Sequence, residues 1–102
     1  MSITRIGAGK RMSEAVIHGG KAYLAGFVAD KTVGKSVKEQ TADILAQIDA
    51  TLKQAGTDKT KILKANIWLT DIGKWAEMNE AWDAWVVAGQ TPARATVEAK
   101  LA

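Results

Sequence analysis

Thr91-Pro92-Ala93-Arg94-Ala95-Thr96-Val97-Glu98 is the stretch from which the rest of the chain is best read. It holds the only proline of 102 residues, and an alternating run follows. Ala95, Val97, Ala99 and Leu101 fall on one face of an extended strand; Arg94, Thr96, Glu98 and Lys100 fall on the other. An arginine on a strand is held more rigidly than one on a loop. Its planar fork can grip a carboxylate through two parallel hydrogen bonds. The default for such a face is solvated charge, with Arg94 and Glu98 as ordinary surface neighbours.

Upstream of this strand, Trp75, Met78, Trp82 and Trp85 recur at spacings of 3, 4 and 3, one face of a helix that starts after Asp71. This stripe is read as core. Gly89 ends the helical region. Ile62 to Thr70 reads as a strand, with Leu63, Ile67 and Leu69 among its apolar members. The best-marked element is an earlier helix. Ser36-Val37-Lys38-Glu39 is a capping box, in which the serine oxygen accepts from the Glu39 amide and the glutamate reaches back. Val37, Thr41, Ile44, Leu45, Ile48 and Leu52 follow with helical spacing, and Gly56 supplies a left-handed stop. Ala15 to His18 and Lys21 to Ala29 are strand candidates around Gly19-Gly20, a two-residue hairpin link. Asp30 to Lys35 is polar and reads as a loop. The order is ββαβαβ. It specifies an α+β domain spanning residues 1–102, with both helices on one face of a single sheet.

Composition narrows the function classes. Hydrophobic residues make up 47% of the chain, ample for one core. Four tryptophans lie from Trp68 to Trp85, a density that fits a subunit interface as well as a monomer core. There is no cysteine, which removes disulfides, thiolate nucleophiles and cysteine metal sites. The single histidine, His18, sits beside the hairpin turn and is read as exposed or structural; no metal site is expected. No apolar run approaches the roughly 20 residues of a membrane helix. The N-terminus has no apolar signal core, so a cytoplasmic protein is expected. The net charge of +3 comes mostly from scattered lysines, and no specific nucleic-acid surface is read from it.

Gly26 after a strand, Trp68-Leu69-Thr70-Asp71, Ala76-Glu77-Met78-Asn79 and Thr91-Pro92-Ala93-Arg94, in this order, resemble the RidA/YjgF family, also labelled endoribonuclease L-PSP or translation inhibitor. The likeness runs from about Arg11 to Ala102. It implies a chorismate-mutase-like subunit and a barrel-like homotrimer with ligand clefts between neighbours. Members with the arginine hydrolyse reactive enamines and imines, such as 2-aminoacrylate and 2-iminopropionate, to 2-oxo acids and ammonia, with no cofactor. On that resemblance Arg94 binds the substrate carboxylate, the Gly26 backbone lines the cleft, and Asn79 orders the site. Asn79 has an equally plain reading as a structural cap or crosslink. Thr96 stands where many members carry cysteine, so a hydroxyl faces the cleft.

The sequence departs from the family at several of these positions. Met12 replaces a ligand-shaping tyrosine, while Ala25 and Phe27 replace the serine and glutamine of a Ser-Gly-Gln segment. The chain also stops before the family's last strand, which usually carries a cleft glutamate. Either a shortened chain or a divergent member is expected on that ground. A non-catalytic trimer that binds a small carboxylate or 2-oxo acid is the second reading, and a ribonuclease the third.

Overall fold

Ser36 starts the first helix, α1 (Val37–Gln54), as the capping pattern requires. Its Oγ accepts from the Glu39 amide at 3.1 Å. The return contact differs from the expected one: the Glu39 carboxylate accepts from the Ser36 hydroxyl at 3.2 Å, side chain to side chain. Gly56 carries the positive φ of 81° that ends the helix. The computed structural model describes residues 2–102, in which α1 is preceded by β1 (Thr4–Ile6), β2 (Ala15–His18) and β3 (Lys21–Leu24). It is followed by β4 (Lys64–Leu69), α2 (Trp75–Trp85) and β5 (Ala93–Glu98). Short 3₁₀ turns at Lys59–Lys61 and Ile72–Lys74 lead into β4 and α2. Among the described residues no helix is long and apolar enough to cross a membrane.

The hairpin forms at Gly19-Gly20, where φ is 60° and 77°, values that only glycine adopts without strain. β2 pairs antiparallel with both β1 and β3. β4 and β5 pair in parallel, with Ala65 opposite Arg94 and Ile67 opposite Thr96. The expected single sheet is therefore two ladders, β1-β2-β3 and β4-β5. The reason is that β3 bonds only β2 and β4 bonds only β5; no described strand bridges them. β1 was absent from the sequence reading because three residues give too short an alternation to register. The β3 run stops at Leu24 rather than Ala29. After Ala25 donates to the Glu14 carbonyl at 2.9 Å, the chain leaves the ladder and crosses to α1.

The core lies between the two helices and β4. Leu45 of α1 packs with Met78 and Trp82 of α2, and Ala65, Ile67 and Leu69 of β4 close the cluster from the sheet side. Each fully buried side chain of this size contributes roughly 1.5–3 kcal/mol. The tryptophan stripe is only partly core. Trp82 is buried and Trp85 half-buried, but Trp75 is 51% exposed. The residues leading into and starting α2, from 71 to 76, are all exposed, so helical spacing alone overstates the burial of Trp75. Trp85 is fixed by its indole N–H donating to Asp49 Oδ2 at 2.9 Å, and Lys59 lies 5.3 Å from its ring centre. Trp68, on the outer face of β4, is 52% exposed.

Candidate functional site

Arg94 and Thr96 are half-buried, whereas Glu98 on the same face of β5 is exposed. The three lie in register with Ala65, Ile67 and Leu69, the residues of β4 that meet the helices. The solvated-face reading therefore holds at Glu98 and is corrected at Arg94 and Thr96. Arg94 Nη1 donates to Asn79 Oδ1 of α2 at 2.7 Å. The guanidinium carbon sits 5.1 Å from the Trp82 ring centre, and Met78 Sδ lies 4.0 Å from Nη1. A cation over an aromatic face, held by one amide, is a pre-oriented cation. Arg94 has no carboxylate partner among the described residues; the two ion pairs found there are Lys38–Glu80 and Lys74–Glu77. Its Nε and Nη2 hydrogens donate to no side chain or carbonyl among those residues, so two adjacent donors remain for an anion.

Asn79 therefore orients Arg94 across the α2–β5 junction, which joins its two readings in one contact. Glu98 does not pair with Arg94 and is not idle: its Oε1 accepts from the Ile72 amide at 3.1 Å, tying β5 to the turn that opens α2. The Thr96 hydroxyl is buried and has no hydrogen-bond partner among the described residues. An unmade bond at a buried hydroxyl costs on the order of 1–3 kcal/mol, so Thr96 is an uncompensated polar group two residues along the strand from Arg94.

Met12, Ala25, Gly26 and Phe27 meet elsewhere. They line a cavity of about 300 Å³ together with Glu14, Val28, Ala29, Asp30 and Gln47. That size suits a small ligand. Arg94, Thr96 and Asn79 are not among its lining residues, so within one chain the expected site residues fall into two separate groups. Gly26 has open space where a Cβ would stand, and its backbone is not left-handed. Nothing within one chain requires glycine there. His18 shares a hydrogen with the Ser2 carbonyl at 3.3 Å, in keeping with a structural role.

The sequence reading missed a polar stripe on α1. Gln40, Asp43 and Gln47 are spaced 3 and 4 apart, a helical face that could have been recognised. Asp43 Oδ2 accepts from the amides of Asp30, Lys31 and Thr32 at 2.9, 2.9 and 3.1 Å, and from Thr32 Oγ1 at 2.8 Å. The Asp30 amide leads in holding its carboxyl down to about 2, with Thr32 and Gln47 adding to the effect. The sign follows from linkage. A depressed carboxylate stabilises the fold above its unfolded value near 3.8, and the contribution disappears as pH falls through about 2. Asp43→Asn is expected to be less stable than the parent at pH 7, with the gap narrowing between about pH 4 and pH 2. Urea unfolding of both proteins at pH 7, 4 and 2.5 checks this; a gap that stays constant would show that ionisation of Asp43 is not the source.

The fold and site define a class: a small two-layer α+β domain with an oriented, unneutralised arginine where a parallel ladder meets its covering helix. Comparison with known proteins agrees. The family model described as Endoribonuclease L-PSP matches residues 2–102, and the chain belongs to that family, whose members are also called YjgF and RutC proteins. A RutC family protein of Haemophilus influenzae is 46% identical over 102 residues, covering 100% of this chain and 88% of its own length. The RutC family protein YoaB of Escherichia coli is 48% identical, covering 99% and 87%. A crystal structure of a YjgF family protein from Neisseria meningitidis superposes with a TM-score of 0.96 at 53% identity, covering 100% of this chain and 84% of that one.

Proposed function

We propose that the protein hydrolyses reactive 2-enamino and 2-imino acids, such as 2-aminoacrylate and 2-iminopropionate, to 2-oxo acids and ammonia. The observation that carries this reading is the free donor pair of Arg94 beside the unpartnered Thr96 hydroxyl on one strand face. Arg94 binds the substrate carboxylate through its fork and so fixes the neighbouring C=N carbon. Thr96 Oγ1 holds a water for attack on that carbon. Addition gives a carbinolamine, which expels ammonia as its C–N bond breaks and the C=O forms. Protonated imines hydrolyse readily in water, so orientation and donors aimed at the developing charge are sufficient catalytic means.

The reading includes a homotrimer in which one subunit's Arg94 half-site faces the Met12–Phe27 cavity of a neighbour. Exposed Trp68 and Val97, paired in register on β4 and β5, supply an apolar sheet face for such contact. Light scattering is expected to give about three times the 10.9 kDa chain mass, and Trp68→Glu to shift it toward the monomer. A monomeric wild type would remove the shared site.

The function is tested with imines generated in place by an amino-acid oxidase. Semicarbazide traps unhydrolysed imine, and ammonia and 2-oxo acid are measured. Faster hydrolysis supports the enzyme. Binding of 2-oxo acids without turnover would support the second reading, a small-carboxylate-binding regulator, which the apolar Ala25 and Phe27 favour by removing polar groups from the cavity segment. The endoribonuclease of the family's description finds less support, since the one histidine, His18, is bonded to the Ser2 carbonyl beside the hairpin turn.

A further inference from the structure

Residues 25–35 contain neither strand nor helix, yet they supply most of the wall of the 300 Å³ cavity. What holds them is the polar stripe of α1. Gln47 Nε2 donates to the Val28 carbonyl at 2.9 Å and to Asp43 Oδ1 at 3.1 Å, so both amide hydrogens are used. Asp43 gathers three successive amides and a hydroxyl. Gln40 Nε2 closes the far end on the Lys35 carbonyl at 2.8 Å. Charge-assisted bonds of the Asp43 kind are about twice as strong as neutral ones. Among the described residues, the side chains that bond the backbone from Val28 to Thr32 are those of Asp43 and Gln47.

We propose that Asp43 and Gln47 are positioning residues that fix the cavity wall from Gly26 to Asp30 and thereby set which substrate side chains fit. This rests on the reading that the Met12–Phe27 cavity receives the side chain of the imine. Neither residue acts on the reacting atoms; Gln47 reaches the cavity edge, and Asp43 acts through the backbone of residues 30–32.

The test compares a small imine, from alanine, with a bulky one, from leucine. In Asp43→Ala and in Gln47→Ala, KM for the bulky imine is expected to rise at least fivefold relative to KM for the small one. Asp43→Asn, which keeps an acceptor, should fall between Asp43→Ala and the parent. Hydrogen exchange at the amides of residues 30–32 should accelerate at least tenfold in Asp43→Ala. Gln47→Ala keeps the test decisive if Asp43→Ala does not fold. Faster exchange with an unmoved KM ratio would overturn the proposal while leaving the imine chemistry standing. If wild type turns over neither imine, the corresponding 2-oxo acids, pyruvate and 4-methyl-2-oxopentanoate, are titrated calorimetrically. A shifted ratio of binding constants then supports the positioning role although the hydrolase reading has failed. An unshifted ratio, or no binding of either acid to wild type, overturns the role.

Discussion

Arg94→Ala is expected to lower kcat/KM for imine hydrolysis by about tenfold to a hundredfold, the loss of a charge-assisted contact worth on the order of 1.5–3 kcal/mol. The effect should appear mainly in KM if the arginine grips the carboxylate equally in substrate and transition state. It should reach kcat if orientation of the C=N carbon is what the fork supplies. Arg94→Lys should recover only part of the loss. A lysine keeps the charge but not the planar pair of donors, nor the stack 5.1 Å from the Trp82 ring centre. Asn79→Ala tests the same site from its support. It frees Nη1, now bonded at 2.7 Å, and should weaken turnover less than Arg94→Ala. Steady-state kinetics of the three variants decides; full activity in Arg94→Ala would remove the site from consideration.

The second large effect is on stability. Met78 is 1% exposed and touches the cluster formed with Leu45 and Trp82. Met78→Ala leaves a cavity between α1, α2 and β4, at a cost of about 2–5 kcal/mol. Domains of this size are stable by only about 5–15 kcal/mol. A fall in Tm of about 10 °C or more follows for a chain of this length. Met78→Leu should cost less than about 1.5 kcal/mol, because volume is nearly kept. Calorimetry or urea unfolding gives both values. The pair also separates packing from function. Met78 lies beneath Arg94 as well as inside the core, so Met78→Leu should hold stability while altering the sulfur contact to the guanidinium.

The elements legible in the sequence were those with local causes. The α1 cap rests on Ser36 and Glu39, the hairpin on two adjacent glycines, and the β5 alternation on residues 94–98. The errors came from what surrounds an element. Arg94, Thr96 and Glu98 alternate as a solvated face would, and Glu98 is exposed, but Arg94 turns toward α2, where Asn79 and Trp82 receive it. Trp75 keeps helical step with Met78 and Trp82 but stands in an exposed first turn and is half open to solvent. The division into two ladders depends on which strand stands beside which, and that is not a local property. The family likeness gave Arg94 as the carboxylate binder and Asn79 as a residue that orders the site, without pairing them; their contact is a feature of the folded chain. It implied clefts between neighbouring subunits, and within one chain Gly26 and Phe27 lie in a cavity that Arg94 does not line.

The stripe of Gln40, Asp43 and Gln47 has a consequence for how such a protein changes over generations. These residues stand on the flank of a surface helix, where substitution is usually tolerated, yet they hold the backbone that outlines a cavity. If the positioning role proposed above holds, divergence in ligand preference between relatives can begin at Gln40 and Asp43, which do not line the Met12–Phe27 cavity. A redesign library limited to the lining of that cavity would include Gln47 and pass over the other two.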